Sequence, residues 1–265
     1  MTDDIALRRA PMEITGAQNP SLRNRLRSYV RRSPRLRAVW DAVKYARAAQ
    51  GGRAAECPVC GTTSRFLAFG FRANALCPKC SSLERHRVLT LAIERLGLIP
   101  PGSEVLHFAP EEPVTHCMRR LHLSSYVTAD ITPGRAARVL NIEQMALPDA
   151  SVDVIVCLHV LEHVNDARAL AEMHRVLRPH GRALLMVPIV EGWGTTYENA
   201  EAARTVAGRI QHFGQHDHIR VYGRDLRDRI RAAGFDLATY TGSGADTVRY
   251  SLLGGETVFV ATKPA

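Results

Sequence analysis

Six short strand-like runs constrain this chain more than any other feature. Glu104–Phe108, Ser125–Ala129, Val152–Leu158, Ala183–Pro188, Leu237–Thr241 and Thr257–Ala261 are each of strand length, and helical stretches separate most of them. Strands that are apolar on both faces need cover on both faces, and strand–helix alternation supplies it through crossover connections. The expected fold is α/β, a doubly wound, mainly parallel sheet. A hydrophobic content of 46% over 265 residues is enough to fill its core. The longest apolar run, from Ala183 to Val190, is far too short to span a bilayer, and the acidic start Met1-Thr2-Asp3-Asp4 leads into no apolar segment. No transmembrane segment and a cytoplasmic location are the expectation.

Ahead of that pattern lie Cys57-Pro58-Val59-Cys60-Gly61 and, sixteen intervening residues later, Cys77-Pro78-Lys79-Cys80-Ser81. Each Cys-x-x-Cys turn aims two sulfurs at one point, so Cys57, Cys60, Cys77 and Cys80 have the ligand spacing of a structural, four-thiolate Zn2+ site. Without a secretory signal, disulfides are the poorer alternative. Cys117 and Cys157 fall in apolar surroundings and read as small buried hydrophobes. From Ser81 the text turns helical: Ser81-Ser82-Leu83-Glu84 has the form of a capping box, Val88, Leu91, Ala92 and Leu96 follow, and Gly97 is the stop.

The formal charge of +9 is unevenly placed. Residues 1–53 hold 12 Arg/Lys against 4 Asp/Glu, whereas residues 54–265 hold 23 against 22. Within the arm, Ser33-Pro34 predicts a helix start, and Leu36, Val39, Trp40, Val43 and Ala46 form one apolar stripe. Such a basic helix suits the protein's own body, a membrane surface or a protein partner. The chain thus divides into a basic helical arm (1–53), a zinc ribbon (54–82) and an α/β domain (83–265).

In doubly wound sheets, ligands lie beyond the carboxyl ends of the strands, and an acidic residue about 20 residues past the first turn takes ribose hydroxyls. Asp130 stands 23 residues after His107, at the end of the second predicted strand; a turn cap is the competing role. After it come Leu140-Asn141-Ile142-Glu143-Gln144-Met145-Ala146-Leu147-Pro148-Asp149-Ala150-Ser151-Val152-Asp153, then Cys157-Leu158-His159-Val160-Leu161-Glu162-His163-Val164 and Val176-Leu177-Arg178-Pro179-His180-Gly181. In order and spacing, this series over residues 103–262 resembles the class I S-adenosylmethionine-dependent methyltransferases, of the type 11-like group. The resemblance implies a Rossmann-like, seven-stranded methyltransferase sheet and S-adenosyl-L-methionine as cofactor. It places Asp130 at the ribose hydroxyls with Ile131 beside it, and Asn141 and the Ile142 N–H at the adenine. Leu158 and His159 would border the methionine portion.

The first turn departs from the family's acidic-x-Gly-x-Gly and reads His107-Phe108-Ala109-Pro110-Glu111, and Asn141 stands where an acid is usual. A pyrophosphate needs bare backbone close by, whereas S-adenosylmethionine carries no phosphate and presents cationic groups. Small Ala109 is expected to admit it and Glu111 to offer it charge; NAD is disfavoured by the same reasoning. Ser82-Leu83-Glu84-Arg85-His86-Arg87, with the ribbon and this turn, also resembles bacterial zinc-ribbon methyltransferases.

Methyl transfer needs orientation above all, and a base only for hydroxyl or protonated amine acceptors. The insertion 190–222, with Trp193, Tyr197, His212, His216, Asp217, His218 and Tyr222 beside Gly214, reads as a lid over an acceptor. His159, His216, Asp217 and His218 are the candidate catalytic residues. On a strand His216 and His218 would both face the pocket; on an irregular loop they would be solvated. A second metal among His212, His216, Asp217 and His218 lacks a supporting ligand spacing, and Glu162 and His163 read as cap or packing residues. The leading expectation is an enzyme acting on a small-molecule or sugar-containing acceptor. The alternatives are an RNA methyltransferase gripping nucleic acid with ribbon and arm, and a non-catalytic zinc-ribbon adaptor on a degenerate methyltransferase fold.

Overall fold

A computed structural model describes residues 54–265 together with Ser33, Leu36, Val39, Ala42 and Val43. The last four of these arm residues are helical, and the Leu36 N–H lies 3.5 Å from Ser33 Oγ, the bond expected of an N-cap serine. Pro34, Trp40 and Ala46 lie outside the described residues.

Residues 54–82 form two small antiparallel hairpins, β1 (Ala54–Glu56) with β2 (Thr63–Arg65) and β3 (Leu67–Phe69) with β4 (Arg72–Leu76). The two cysteine turns are built alike. The Gly61 N–H bonds Cys57 O at 2.8 Å and the Ser81 N–H bonds Cys77 O at 2.9 Å, with left-handed φ of 69° and 60° at Gly61 and Ser81. Helix α1 (Glu84–Leu96) follows. It begins later than the Ser81 capping box predicts: Leu83 is its N-cap, and His86 Nδ1 accepts the Leu83 N–H at 3.0 Å. The serines are used elsewhere, since Ser82 Oγ lies 3.2 Å from both Cys57 Sγ and Cys80 Sγ and Ser82 O accepts the Cys77 N–H. At the other end, Gly97 closes α1 in the left-handed conformation, as expected.

Next come β5 (Glu104–Phe108), α2 (Glu112–Met118), β6 (Ser125–Asp130), β7 (Arg138–Val139), β8 (Val152–Leu158), α3 (Asp166–Val176) and β9 (Leu177–Met186). After the insertion follow α5 (Leu226–Ala232), β12 (Asp236–Thr241), α6 (Gly244–Tyr250) and β13 (Thr257–Thr262); the insertion itself carries β10 (Tyr197–Glu198), α4 (Val206–Phe213) and β11 (Arg220–Val221). Seven strands make one sheet in the order β12-β13-β9-β8-β5-β6-β7. It is parallel from β7 to β9, with β13 antiparallel to β9 and β12 antiparallel to β13. This is the doubly wound architecture the apolar runs predict.

Alternate side chains serve opposite faces. Leu106, Ile155, Cys157 and Leu185 pack with Leu170 and Met173 of α3 and with Leu226 and Ile230 of α5. Val105, Val154, Val156 and Leu184 pack with Val88, Leu91 and Ala92 of α1 and with Val114 and Met118 of α2. Cys117 and Cys157 are buried in these two layers, as expected of small hydrophobes. The fifth parallel strand is longer than its apolar run. It starts at Leu177, passes a left-handed His180, and uses Gly181 where a Cβ would meet Arg178 O at 2.8 Å.

Ribbon and sheet share one compact unit. Arg87 of α1 joins them. It is fully buried, donates to Ala75 O and Ser82 O of the ribbon side and to Tyr250 O and Ser251 O of the sheet side, and lies 4.7 Å over the Phe66 ring. Among the described residues no helix is long and apolar enough to cross a membrane.

Candidate active site and metal centre

The four ribbon cysteines converge from two hairpin turns. Cys57 Sγ lies 3.6 Å from Cys80 Sγ and Cys60 Sγ 3.8 Å from Cys77 Sγ, and none is disulfide-bonded. Sulfurs about 2.3 Å from one tetrahedral metal stand roughly 3.8 Å apart, so the cage has the size that zinc requires, whereas a disulfide needs about 2.05 Å. The sulfurs compete for protons. Hydrogen bonds from Cys60 and Cys77 hold the Cys57 thiol below its ordinary value, while Cys57 pushes Cys60 and Cys77 above theirs. A dication resolves that competition by taking all four as thiolates.

The strand order reverses between β5 and β8, so the crevice opens beyond the carboxyl ends of these two strands. Two non-glycine residues flank it in the left-handed region, Ala109 after β5 (φ 47°) and His159 after β8 (φ 53°). Backbone strain of this kind, at about 1–2 kcal/mol for a residue with a Cβ, persists only where the surroundings hold it. The Ala109 N–H is tied to Ala129 O and the His159 N–H to Met186 O, both at 2.8 Å. The glycine absent from this turn in the sequence is thus replaced by an alanine that adopts a glycine conformation.

On one side of the crevice, Asp130 ends β6. Its Oδ1 accepts the Thr132 N–H at 2.7 Å, and Ile131 beside it is 64% exposed. Asn141 is exposed and its Oδ1 accepts the Glu143 N–H at 2.9 Å, while Ile142 is buried against Met145. Asp130, Ile131, Asn141 and Ile142 are therefore brought to one edge, each acid or amide with a turn bond of its own.

The other side is crowded with polar groups. Glu111 accepts from Arg85 through both carboxylate oxygens and lies 3.1 Å from His86 Nε2. Because His86 Nδ1 accepts the Leu83 N–H, its proton is on Nε2, aimed at Glu111. Burial would raise the Glu111 pKa, but the His86 and Arg85 bonds outweigh it and hold the carboxyl well below the usual range. Glu111 is thus already paired, where the sequence reading had it free to meet a cationic ligand. His107 is fully buried and its Nδ1 lies 2.8 Å from Tyr126 Oη, whose hydroxyl passes on to Thr115 Oγ1 at 3.2 Å. Burial lowers its pKa to about 4, so the ring is neutral, and Nε2 is buried with no partner. Glu256, at the mouth of β13, was not foreseen: burial first, then the Glu84 charge, raises its pKa to about 7. Only the antiparallel return of β13 brings it here, and no local motif signals that.

Leu158 is buried at the end of β8, and His159 follows with its side chain one-third exposed. His159 Nδ1 lies 3.4 Å from Glu162 Oε1. Glu162 belongs to a single 3-10 turn, Leu161–His163, and is 1% exposed. His218 is buried against it, with ring centroids 4.8 Å from His163, and burial holds His218 below the ordinary imidazole value.

The insertion is a folded flap. β10 pairs with β11, and α4 ends at a left-handed Gly214. Tyr197 stacks on His212 and bonds its Nδ1 at 2.6 Å, with Trp193 edge-on; Gly192, Trp193 and Tyr197 line an open groove. Residues 216–218 are irregular, so His216 and His218 diverge: the His216 side chain is 72% exposed, Asp217 is half-exposed and His218 is buried. The set His212, His216, Asp217 and His218 does not converge on a metal. Tyr222 is no part of the flap's surface but a buried strut, its hydroxyl 3.1 Å from Leu161 O and from Asp166 Oδ2.

Residues 106–185 match a family model described as a methyltransferase domain. A protein of Mycolicibacterium smegmatis named as a probable S-adenosylmethionine-dependent methyltransferase is 49% identical over 49 residues, 18% of this chain and 19% of that protein. The ubiquinone/menaquinone biosynthesis C-methyltransferase of Pectobacterium carotovorum is 29% identical over 113 residues, 38% of this chain and 45% of its own length. The chain therefore spans less than half of these curated relatives. Among solved structures, the [4+2]-cyclase SpnF aligns at a TM-score of 0.50 and 16% identity, covering 68% of this chain and 82% of that one, a likeness of fold alone.

Proposed function

We propose, from the match of residues 106–185 to a methyltransferase domain, that the protein transfers a methyl group from S-adenosyl-L-methionine to a small-molecule or sugar-containing acceptor. The observation that carries this reading is the crevice at the strand-order reversal, with Ala109 and His159 both left-handed at its floor and unpartnered, buried His107 Nε2 and His159 Nε2 beside it. Buried polar atoms without partners are costly and call for an occupant that supplies them.

Asp130 would hold the ribose hydroxyls and exposed Ile131 would cover the adenine, with Asn141 and the Ile142 N–H at its edge. Leu158, His159, His107 and the Ala109 bend would border the methionine portion, and Glu111, locked by Arg85 and His86, would fix that bend's charge. The bound cofactor supplies a methyl group activated by its sulfonium. The chain's part is orientation and proton removal. His159 would take the acceptor proton, steadied by Glu162. Asp217 and His218 would act through the flap that carries them, and solvent-exposed His216 would contribute least. Trp193 and Tyr197 offer aromatic faces to an acceptor ring, and the near-neutral charge of residues 54–265 suits a pocket better than a nucleic-acid groove. The four-cysteine cage would hold one structural Zn2+.

Calorimetry with S-adenosylhomocysteine tests the cofactor, and labelled S-adenosylmethionine incubated with small-metabolite extract and, separately, with total RNA tests the acceptor. Label in the metabolite fraction, lost in His159→Ala, supports the proposal. Label in RNA alone replaces the acceptor class, and no heat with S-adenosylhomocysteine leaves the non-catalytic adaptor.

A further inference from the structure

Among the described residues two groups of metal-ligating side chains converge. One is the cysteine cage; the other is Glu162, His163 and His218, whose ligand atoms all lie within 4.8 Å of one another. We propose that this second group, at the exit of β8 and beneath the flap, binds a borderline divalent transition metal such as Zn2+, independently of whether the protein transfers methyl groups.

The first argument is Glu162. It is 1% exposed, and both carboxylate oxygens are buried with no hydrogen-bond partner. A carboxylate in that condition is expensive unless a cation or several donors meet it. His159 Nδ1 lies 3.4 Å from Oε1, which leaves Oε2 for another partner.

The second argument is the orientation of the imidazoles. His163 Nδ1 lies 3.1 Å from the backbone oxygen of Asp217. A carbonyl only accepts, so His163 carries its proton on Nδ1 and presents Nε2 as a lone pair. A ligating histidine is commonly fixed through its other nitrogen in just this way, by a carbonyl or carboxylate. Asp217 supplies both kinds, since its Oδ2 is 3.6 Å from the same nitrogen. The neighbouring residue, His218, is buried edge-to-face with His163, and the Ile219 N–H is bonded to Glu162 O at 3.0 Å, which ties the flap segment to the turn that carries the other two ligands.

The third argument is size. Three atoms no more than 4.8 Å apart always have a common point within about 2.8 Å of each, whereas zinc stands roughly 2.0–2.2 Å from imidazole nitrogen and carboxylate oxygen. Each ligand would close in by less than about 0.8 Å, a side-chain torsion's worth of movement. Two imidazoles and one carboxylate suit zinc and its neighbours better than calcium or magnesium, and they leave a fourth position for water or an acceptor oxygen. His159, already 3.4 Å from Glu162, stands at the border of that position.

The test uses the full chain with its cysteine cage filled. Cobalt(II) titrated into protein that holds one zinc per chain, in the cysteine cage, should occupy a further equivalent, with visible ligand-field absorption and no thiolate-to-metal charge-transfer band. In Glu162→Gln and in His218→Asn, each checked for native circular dichroism, the affinity of that equivalent should fall at least tenfold. If wild type takes up no cobalt beyond the cysteine site, the proposal is overturned. It is overturned equally if both variants bind the second equivalent as wild type does.

Discussion

The cysteine ribbon and the crevice beyond β5 and β8 are both built from chain turns that aim polar atoms at a point, yet they are assembled over very different distances. The ribbon's four cysteines lie within 24 residues, on two turns of the same construction. The crevice draws on His107, Asp130, Asn141, His159 and Glu256, which only the strand order of the sheet brings to one edge. A local site depends on its ligand; a site spread over a sheet rests on the sheet's own core. Removing a ribbon ligand should therefore unfold structure, whereas removing a crevice residue should cost binding and leave the fold.

The largest effect expected is that of Cys77→Ser. A structural zinc contributes on the order of 10 kcal/mol to a small module, so the variant should lose its ribbon zinc by elemental analysis and melt far below wild type. A well-folded Cys77→Ser protein lacking that metal would erase the contrast between the two regions. Arg87→Met comes next. It strands carbonyls of Ala75, Ser82, Tyr250 and Ser251 in a buried joint, for a loss of about 3–5 kcal/mol in urea unfolding. Amide exchange in that variant should speed up in residues 54–82 before the sheet. Exchange that rises evenly across both would mean that ribbon and sheet open as one unit.

What the sequence made legible follows the same division. Cysteine spacing, strand-length apolar runs and Gly97 are local signals, and the structure realises each. Ser81 misled as a helix cap because the ribbon had a stronger use for the backbone and hydroxyls of that turn. Glu111 looked like a free acid because Arg85 and His86 approach it from another helix. Glu162 reads as a cap or packing residue, and it is indeed buried, but no sequence signal tells that 56 residues later His218 returns to lie beside it. Periodicity reports which face of an element is buried, and it is silent on which polar groups meet across elements.

On the crevice side, Asp130→Ala should weaken S-adenosylhomocysteine binding by roughly 10- to 100-fold in calorimetry, the worth of one or two charge-assisted hydrogen bonds. Its melting temperature should stay within a degree or two of wild type, because Asp130 is only partly buried at the end of β6 and water can replace its exposed bond to the Thr132 N–H. Smaller still is Glu256→Gln, read through pH. Burial raises the folded-state pKa of Glu256 from the ordinary carboxyl value of 4.5 to about 7, so folding favours its protonated form. Stability from that preference is complete below about pH 4.5 and is lost as pH climbs to 7. Wild type and variant should unfold alike at pH 4.5, and the variant should gain about 1–2 kcal/mol at pH 8, a figure reduced for the partial exposure of the group. Equal stability at both pH values would show that the carboxylate is relieved by solvent or by Arg85.

Ala109→Gly has the smallest expected effect and divides the crevice's backbone strain from its chemistry. Glycine removes the cost of a left-handed Cβ, about 1–2 kcal/mol, and adds about 0.5–1 kcal/mol of unfolded-chain entropy. The two nearly cancel, so the melting temperature should rise by only about 1–2 °C. Because the Ala109 N–H bond to Ala129 O and the pairing of Glu111 with Arg85 are untouched, affinity for S-adenosylhomocysteine should stay within about twofold. A large loss of affinity without loss of stability would mean that the alanine methyl itself shapes the cofactor's seat. The bend would then be a contact surface for the ligand, and a glycine there would be a defect in this chain although it is the rule in chains that bind phosphates.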